Sequence, residues 1–486
     1  MNTLNFGFNT AVRGLLASQR SLYTTNHNIN NVNTKGFSRQ QNYQRAVTPF
    51  ELPGVGYLGA GTEIYDIERV RNSYVDFKYW NEMAPQGEWE IKKDGLYELE
   101  KLFGEPTNSS FRQYMDDFYG AMENMSENSS DPSFREPVRE NALAFTKHIN
   151  ETAARLGKLK KETEVNIDAK VKNINSLSNQ IAALNRQIYS HEISGRTAND
   201  LRDRRDLLVD ELSKIVNVKV DEIEDGKYKV SVSGVTLVDH IYVSEIKVKK
   251  EGPTGNPDKI NLEWGNGYEV KLRSGELKGL LELYNGDGKN NSYRGIPYYQ
   301  RKLDEFARGF AKGFNEQHVK GYGLDGEDGR NFFVGLNNDP DPDKITAANL
   351  TISDEILGDL RKIAAAKDPE GAASDNRNLL ELIAQREDGE FFKGMGISQG
   401  TPDDFLKSII SNLAVDSTQG KRMYTSQNII LKNIEFKRES ISGVNYDEEM
   451  GDIVKYQHSY IAAARMITTV DTIMDVTINR LGLVGR

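Results

Sequence analysis

Residues 171–188, VKNINSLSNQIAALNRQI, carry their apolar side chains at the spacing of a long helix that packs along one side. Isoleucine recurs every seven residues at Ile167, Ile174, Ile181 and Ile188, with Leu177 and Leu184 on the adjoining row. A stripe kept at this spacing is typical of helices in a coiled-coil-like arrangement. The stretch LRDRRDLLVDELSKIV at 201–216 continues the pattern. We therefore predict long helices over residues 134–215.

The second of these stretches also contains a basic cluster, Arg202, Arg204 and Arg205. Such a cluster can mark a site for phosphate or nucleic acid. Here Asp203 and Asp206 are interleaved with the arginines, and opposite charges that alternate along a helix are typical of an exposed surface. The pattern favours a solvated helix face whose charges pair with each other.

From residue 215 the apolar spacing changes from a helical period to a period of two. The alternating positions are Val216, Val218 and Val220, followed by Tyr228, Val230 and Val232. Short alternating runs separated by turn residues such as Ser233-Gly234 predict antiparallel strands joined by tight turns. We predict an inserted antiparallel β domain over residues 215–280, after which helical patterning returns.

Both ends of the chain carry heptad-spaced apolar rows. The rows at the start are Phe8, Leu15, Leu22 and Ile29, and Leu4, Ala11, Ser18, Thr25 and Val32. The rows at the end are Ile453, Tyr460, Ile467, Met474 and Leu481, and Tyr456, Ala463, Val470 and Thr477. Two ordinary amphipathic helices in one globular core are the alternative. We expect instead that these helices are loosely ordered in the monomer and gain stability by packing against neighbouring copies, because a lone helix of this kind is marginal in water.

Together these patterns predict a mainly α protein with an inserted antiparallel β domain, elongated and divided into several domains. Residues 1–40 plus 440–486 would form an inner layer of terminal helices that pair as a coiled coil and mediate assembly. Residues 41–214 plus 281–439 would form a helical rod layer with hairpins. Residues 215–280 would form the outer β module.

Composition narrows the function. The 486 residues include no cysteine, which excludes disulfides, thiolate metal sites and cysteine nucleophiles. The formal net charge of −10 argues against binding of nucleic acid through a broadly basic surface. No run of 18 apolar residues occurs, so we expect no insertion into a membrane. The acid-poor start shows no Sec signal peptide, although it resembles a mitochondrial transit peptide in composition. If the protein leaves the cell, we expect another route.

Two short motifs could indicate chemistry. The glycines at 54, 56 and 59 match a dinucleotide-binding pattern, but the alternating residues that follow favour a hairpin. Gly396-Ile397-Ser398-Gln399-Gly400 matches a nucleophile elbow, and a serine hydrolase using Ser398 and His458 is the remote alternative. Thr401 followed by Pro402 indicates a helix start there instead. The six histidines lack metal-ligand spacing, so we predict no catalytic residue, metal, cofactor or small-molecule substrate.

Residues 25–40, TNHNINNVNTKGFSRQ, resemble the Asn-rich signature that follows the first helix of flagellar axial proteins, the rod, hook and hook-associated proteins. The positions that carry the resemblance are Asn28, Ile29, Asn31, Asn33, Gly36 and Phe37. The blocks at 180–188, 314–333 and 441–482 are similar to the hook-associated members in particular. Another axial protein, a rod or hook subunit, is the alternative.

The resemblance implies a structural, non-enzymatic component at the junction of hook and filament. It implies export, unfolded, through the flagellar type III system, so the protein would be cytoplasmic only transiently and then extracellular. Its implied partners are about eleven copies of itself in a ring, the hook protein, hook-associated protein 3 and an export chaperone that holds the C-terminal helix. The implied assembly residues are Leu4, Phe8, Ala11, Leu15, Leu22, Ile29 and Val32. Those implied for assembly and chaperone binding are Ile453, Tyr456, Tyr460, Ala463, Ile467, Val470, Met474 and Leu481.

Overall fold

The computed structural model describes residues 2–480 apart from 53, 55, 104–110, 194, 224–225, 251–258, 394 and 396–399. The helices are α1 Asn2–Asn30, α2 Ser73–Phe103, α3 Phe111–Glu127, α4 Pro132–Glu192, α5 Asn199–Ile215, α6 Glu276–Asn285, α7 Ile296–His318, α8 Asp354–Gly358, α9 Arg377–Ala384, α10 Pro402–Ser442 and α11 Tyr446–Asp475. The strands are β1 Gln40–Ala46, β2 Phe50–Leu52, β3 Gly56–Leu58, β4 Thr62–Arg69, β5 Val218–Ile223, β6 Lys227–Val232, β7 Val235–Asp239, β8 Tyr242–Val243, β9 Ile246–Lys250, β10 Ile260–Trp264, β11 Phe333–Val334 and β12 Thr351–Ile352. The predicted class, mainly α with a separate antiparallel β region, is confirmed.

Helix α4 crosses two hydrophobic cores. It begins at Asp131, whose side chain accepts a hydrogen bond from the Ser133 N–H at 2.8 Å, with Pro132 at the first helical position. Its 61 residues extend for about 90 Å, more than one domain core can cover. The apolar side of residues 138–156 therefore lies in one core and that of residues 167–182 in another.

The two cores differ in composition. The first is rich in phenylalanine, with Phe145 of α4 packed edge-on against Phe310 of α7 at 5.3 Å between ring centroids. The second packs the predicted isoleucine stripe of α4 against strands, including Val230 of β6 and Leu262 of β10. The isoleucine stripe of α4 is apolar because it packs against the β region.

The β region consists of a four-stranded antiparallel sheet in the order β5-β6-β7-β8 and a separate pair, β9 with β10. Val218 lies opposite Val232, and Val220 lies opposite Val230. Ser233 and Gly234 both have positive φ, at 51° and 90°, as a two-residue hairpin turn requires. The predicted alternation and turn are thus confirmed.

The prediction of a solvated charged face on α5 is wrong. Arg205 is fully buried, Asp206 is 2% exposed and Asp203 is 5% exposed. Their partners come from distant parts of the chain. Arg69, at the end of β4, binds Asp203 at 2.7 Å and Asp206 at 2.8 Å. Arg205 stacks on the Tyr228 ring at 3.3 Å. The spacing of charges within one helix cannot reveal partners from other segments. The sequence pattern of α5 therefore predicted an exposed surface.

Two further arginines extend this buried network. Arg71 binds Asp206 at 2.8 Å and Asp76 of α2 at 2.7 Å. Arg438 of α10 binds Asp76 at 2.8 Å and Asp210 of α5 at 2.8 Å. The network therefore links three parts of the fold, which are the β4–α2 connection, α5 and the end of α10.

The structure shows where the two motifs that could indicate chemistry lie. The 54–59 motif lies at a hairpin, since β2 pairs antiparallel with β3. Ser398 lies outside the described residues. Thr401 caps α10 as predicted, because its side chain accepts the Asp404 N–H at 3.1 Å and Pro402 follows it. His458 is exposed on α11.

Candidate assembly surface

The terminal helices α1 and α11 pair antiparallel within one chain. Asn28, near the end of α1, donates to Glu449 in the first turn of α11 at 3.1 Å. Fourteen residues earlier on α1, a methyl group at Gly14 would lie 4.0 Å from the Cβ of Ala463, fourteen residues later on α11. The equal steps in opposite directions define the antiparallel register. The predicted coiled-coil-like pairing of the ends is part of the fold.

Most of the predicted assembly residues are half-buried at this pairing. On α1 these are Ala11, Leu15, Leu22 and Ile29, and on α11 they are Ile453, Tyr456, Tyr460, Ala463, Ile467, Val470 and Met474. Phe8 and Val32 are exposed, while the side chain of Leu4 and residue Leu481 lie outside the described part of the chain. The rows thus have partners inside the monomer, and a role between copies stays a prediction.

Sequence reasoning missed exposed apolar side chains on α11 that lie outside the predicted rows. Met466 is 57% exposed and Ile473 is 49% exposed. Met450, Val454, Ile461 and Val476 are exposed as well. On α1, Leu16 and Tyr23 are also exposed. Apolar residues all round a helix indicate that both sides contact protein, and this signal was present in the sequence of α11. Several exposed apolar side chains on one helix pair indicate an interaction site.

The other side of α1 packs against the β1–β4 hairpin through small and polar side chains. Thr24 donates to Asn42 of β1 at 2.9 Å, and Gln44 donates to Ser21 at 3.3 Å. Ser18 and Thr25, the weak positions of the second predicted row, are buried. Small side chains there let α1 approach its neighbours closely, which explains why this row is poor in large apolar residues.

The Asn-rich signature connects α1 to three other elements. The Asn28 side chain accepts from the Gln40 N–H and donates to the Gln40 carbonyl, both at 2.9 Å, in addition to Glu449. Gly36 has φ of 82°, and a side chain there would lie 3.2 Å from Leu207 of α5. Glycine meets both demands, the left-handed backbone and the close approach.

The remaining signature residues shape the turn after α1. Asn31 donates to the His27 carbonyl at 2.9 Å and so satisfies a carbonyl at the helix end. Phe37 packs edge-on against His27, with ring centroids 5.3 Å apart. Ile29 is half-buried and Asn33 is exposed.

In the ion network beside the signature, the pKa values of two carboxyl groups are shifted. Burial raises the pKa of Asp206, but Arg71 and Arg69 outweigh it and lower the pKa to about 2. Burial raises the pKa of Asp203 despite Arg69 and hydrogen bonds from Ser38. Ser38 donates to Asp203 through its N–H at 2.9 Å and its hydroxyl at 2.7 Å. The end of the signature is therefore attached to α5 by a buried anion.

No metal-ligand cluster of three or more histidine or acidic side chains occurs among the described residues. In the same part of the chain, no helix has the length and apolar character needed to cross a membrane.

Comparisons with known proteins agree with this architecture. The family described as flagellar hook-associated protein FlgK helical domain matches residues 96–333, and flagellar basal body rod FlgEFG protein C-terminal matches residues 438–481. Flagellar hook-associated protein 1 of Bacillus subtilis is 29% identical over 511 residues, covering 100% of both chains. Its namesake from Salmonella typhimurium is 24% identical and covers 97% of this chain and 99% of its own. The flagellar hook junction protein FlgK from Burkholderia pseudomallei shares the fold, with a TM-score of 0.63 at 14% identity over 75% of this chain and 100% of that chain.

The fold, the paired terminal helices and these matches define a structural protein of the bacterial flagellum. Within that class the chain belongs to the hook-associated proteins, and the relatives that it matches from end to end are called flagellar hook-associated protein 1. The resemblance inferred from the sequence is confirmed.

Proposed function

We propose that this protein joins the flagellar hook to the filament by assembling into a ring of about eleven copies. The observation that carries the proposal is the exposed apolar surface of the α1–α11 pair, which comprises Met450, Val454, Ile461, Met466 and Ile473 on different sides of α11 with Leu16 and Tyr23 on α1. In a monomer this surface is in contact with water. Contact with other copies would remove it from water, and apolar burial is the main driving force for such association.

In this proposal the predicted rows and the exposed surface have different tasks. The half-buried rows, such as Ile467 and Leu22, hold α1 and α11 together in one copy. The exposed surface contacts the α1–α11 pair of the next copy. The half-buried predicted residues therefore prepare the pair, and side chains outside the predicted rows contact the neighbour.

The partners follow from the same location. The ring would contact the hook protein on one side and hook-associated protein 3 on the other. Before assembly, the protein would pass unfolded through the flagellar type III system, with a chaperone covering the C-terminal helix. It would thus be cytoplasmic transiently and extracellular afterwards. The exposed apolar side chains of α11 make it a suitable chaperone target, because an apolar groove can cover them.

The deciding experiment places a small epitope tag in β8, at the exposed Tyr242, and images isolated flagella by immunogold electron microscopy. We expect gold at the hook–filament boundary only. Gold along the rod or the hook would replace the proposal by another axial role. A strain that lacks the protein should keep its hooks, lose its filaments and release filament subunits into the medium; normal filaments in that strain would overturn the proposal.

A further inference from the structure

Helices α10 and α11 are separated by a short, well-defined break. Helix α10 ends at Ser442, and the Asn445 side chain caps α11 by accepting the Asp447 N–H at 3.1 Å. Between them, a side chain at Gly443 would lie 2.4 Å from the Glu439 carbonyl oxygen, so only glycine fits. The direction in which the α1–α11 pair leaves the rest of the molecule depends on this break.

Arg39 bridges the break. Its backbone N–H donates to the Ser442 carbonyl at 2.8 Å, the last residue of α10. Its guanidinium donates to Glu449 at 2.7 Å and to Glu448 at 3.2 Å, both in the first turn of α11. Glu449 is only 2% exposed and also accepts from Asn28. One residue thus binds both helices across the break, and its α11 partner is a buried carboxylate.

The residues next to Arg39 and before the break are attached to the helical body. Ser38 donates two hydrogen bonds to Asp203 of α5. Arg438, one turn before the end of α10, binds Asp76 of α2 and Asp210 of α5. Both approaches to the break are therefore anchored by buried ions. On the far side, Arg39 contacts the start of α11 directly.

Space for movement exists beside the break. A groove of about 950 Å³ runs between residues 31–39 and residues 438–446. Beside this groove, polar contacts help to fix the direction of α11. Across the break, Arg39 binds the end of α10 and the start of α11, whereas Asn28 binds Glu449 within the α1–α11 pair.

We infer that Arg39 is the positioning residue that sets the direction of the α1–α11 pair relative to the helical body. Its importance for assembly rests on the proposed function, because copies in a ring must all present the pair in one direction. The positioning itself is a property of the single chain. It can therefore be tested apart from assembly.

The test uses spin-label distances in the otherwise complete monomer. The chain contains no cysteine, so Asn433→Cys on α10 and Gln457→Cys on α11, both exposed, introduce the only two labels across the break. We expect a narrow distance distribution with Arg39 present. In the Arg39→Met variant the distribution should broaden by about twofold or more, because methionine retains the stem and removes the guanidinium. An equally narrow distribution in Arg39→Met would overturn the inference.

Two controls separate positioning from unfolding. A second label pair, Asn26→Cys and Lys455→Cys, measures α1 against α11 and should give the same distribution with and without Arg39→Met. Broadening of this pair as well would mean that Arg39 merely stabilises the terminal helices, and would overturn the inference. Arg45→Met is the matched arginine variant: it removes an exposed ion pair with Glu63 on the same hairpin and should change neither distance.

Assembly gives the functional consequence. Arg39→Met should be exported and should reduce the number of filaments per cell by about tenfold, with partial rescue by Arg39→Lys. Normal filament numbers despite a broadened distance would overturn the importance for assembly. A tagged protein found away from the hook–filament boundary would instead refute the proposed function and leave the monomer distances as the test of positioning.

Discussion

Asn28 and Glu449 are 421 residues apart in sequence and are joined by a hydrogen bond of 3.1 Å inside the folded protein. The same asparagine forms two hydrogen bonds with the backbone of Gln40, and the same glutamate accepts from Arg39. The end of the first helix, the first strand and the start of the last helix therefore meet at one buried cluster. The ends of the chain are connected by specific polar contacts as well as by an apolar seam.

Asn28→Ala should loosen the terminal pair. The substitution removes three hydrogen bonds, two with the Gln40 backbone and one with the Oε2 atom of buried Glu449, which then keeps only its Arg39 contacts. We expect the opening free energy of α1, measured by native-state hydrogen exchange, to fall by ~1–3 kcal/mol. Asn33→Ala, in the same signature but exposed, should change it by less than ~0.5 kcal/mol. Equal effects of the two variants would show that the buried cluster does not stabilise the helix.

Met466→Asp and Ile473→Asp should block assembly without unfolding the monomer. Both side chains are exposed in the single chain, so a carboxylate there is solvated until another copy covers it. Covering it would bury an unpaired charge. We expect unchanged circular dichroism and export but loss of filaments in a complementation assay. Tyr242→Asp, at an exposed apolar position on β8, is the control and should support normal filaments.

Asp206→Asn should destabilise the helical body strongly. Asp206 is buried and binds Arg69 and Arg71, and it accepts from the Tyr228 hydroxyl at 2.8 Å. Loss of its charge leaves buried arginines undercompensated, at a cost of ~3–5 kcal/mol. Chemical denaturation followed by tryptophan fluorescence measures this, since Trp80 lies in the adjoining core. Asp200→Asn, on the same helix but exposed, should stay near the wild-type midpoint.

Acid should weaken the core around His318. This side chain is fully buried; its Nδ1 lies 2.8 Å from the Arg330 carbonyl and its Nε2 accepts the Ala364 N–H at 3.1 Å. Burial lowers the pKa of His318 to about 4 from an ordinary value of 6.5. The unfolded chain therefore binds the extra proton first, and stability present above pH 6.5 is lost as the pH falls from 6.5 towards 4.

The loss should reach ~3 kcal/mol over that interval. Denaturation midpoints at a series of pH values measure it. His318→Gln should be less stable at neutral pH but flatter from pH 6.5 to 4. His458→Gln, on the exposed side of α11, should leave the wild-type slope intact, and an unchanged slope in His318→Gln would contradict the assignment.

Much of the fold was predictable because it depends on local patterns. The isoleucine stripe on α4, the valine alternation in β5 and β6 and the cap at Thr401 each reflect neighbours within a few residues. The heptad seams also predicted that each terminal helix has a helical partner, although neighbouring copies were the expected partners and the two helices pair within one chain. The family signature was recognisable, although the task of Asn28 was not, because its partner Glu449 looked like an ordinary acidic residue in the first turn of a helix.

Local patterns did not predict the partners of the α5 charges or of the α11 apolar side chains. Sequence order placed Asp203 and Asp206 beside arginines of their own helix, whereas in the fold they bind Arg69 and Arg71. Likewise, the apolar rows of α11 were assigned to contacts with other copies, whereas most are half-buried against α1 and a different set is exposed. Which partner an ion or an apolar side chain finds depends on distant segments.

The amino-acid sequence by itself therefore determined the helices, the inserted strands, the heptad seams at both ends and the flagellar family, since periodicity, turn residues and signature blocks are local properties of the chain. Only the tertiary structure decided which apolar side chains of the last helix are exposed, how α5 buries its charges and that Arg39 crosses the break before α11. Each of these depends on contacts between residues hundreds of positions apart, and the free energy of such contacts exists only once the chain has folded.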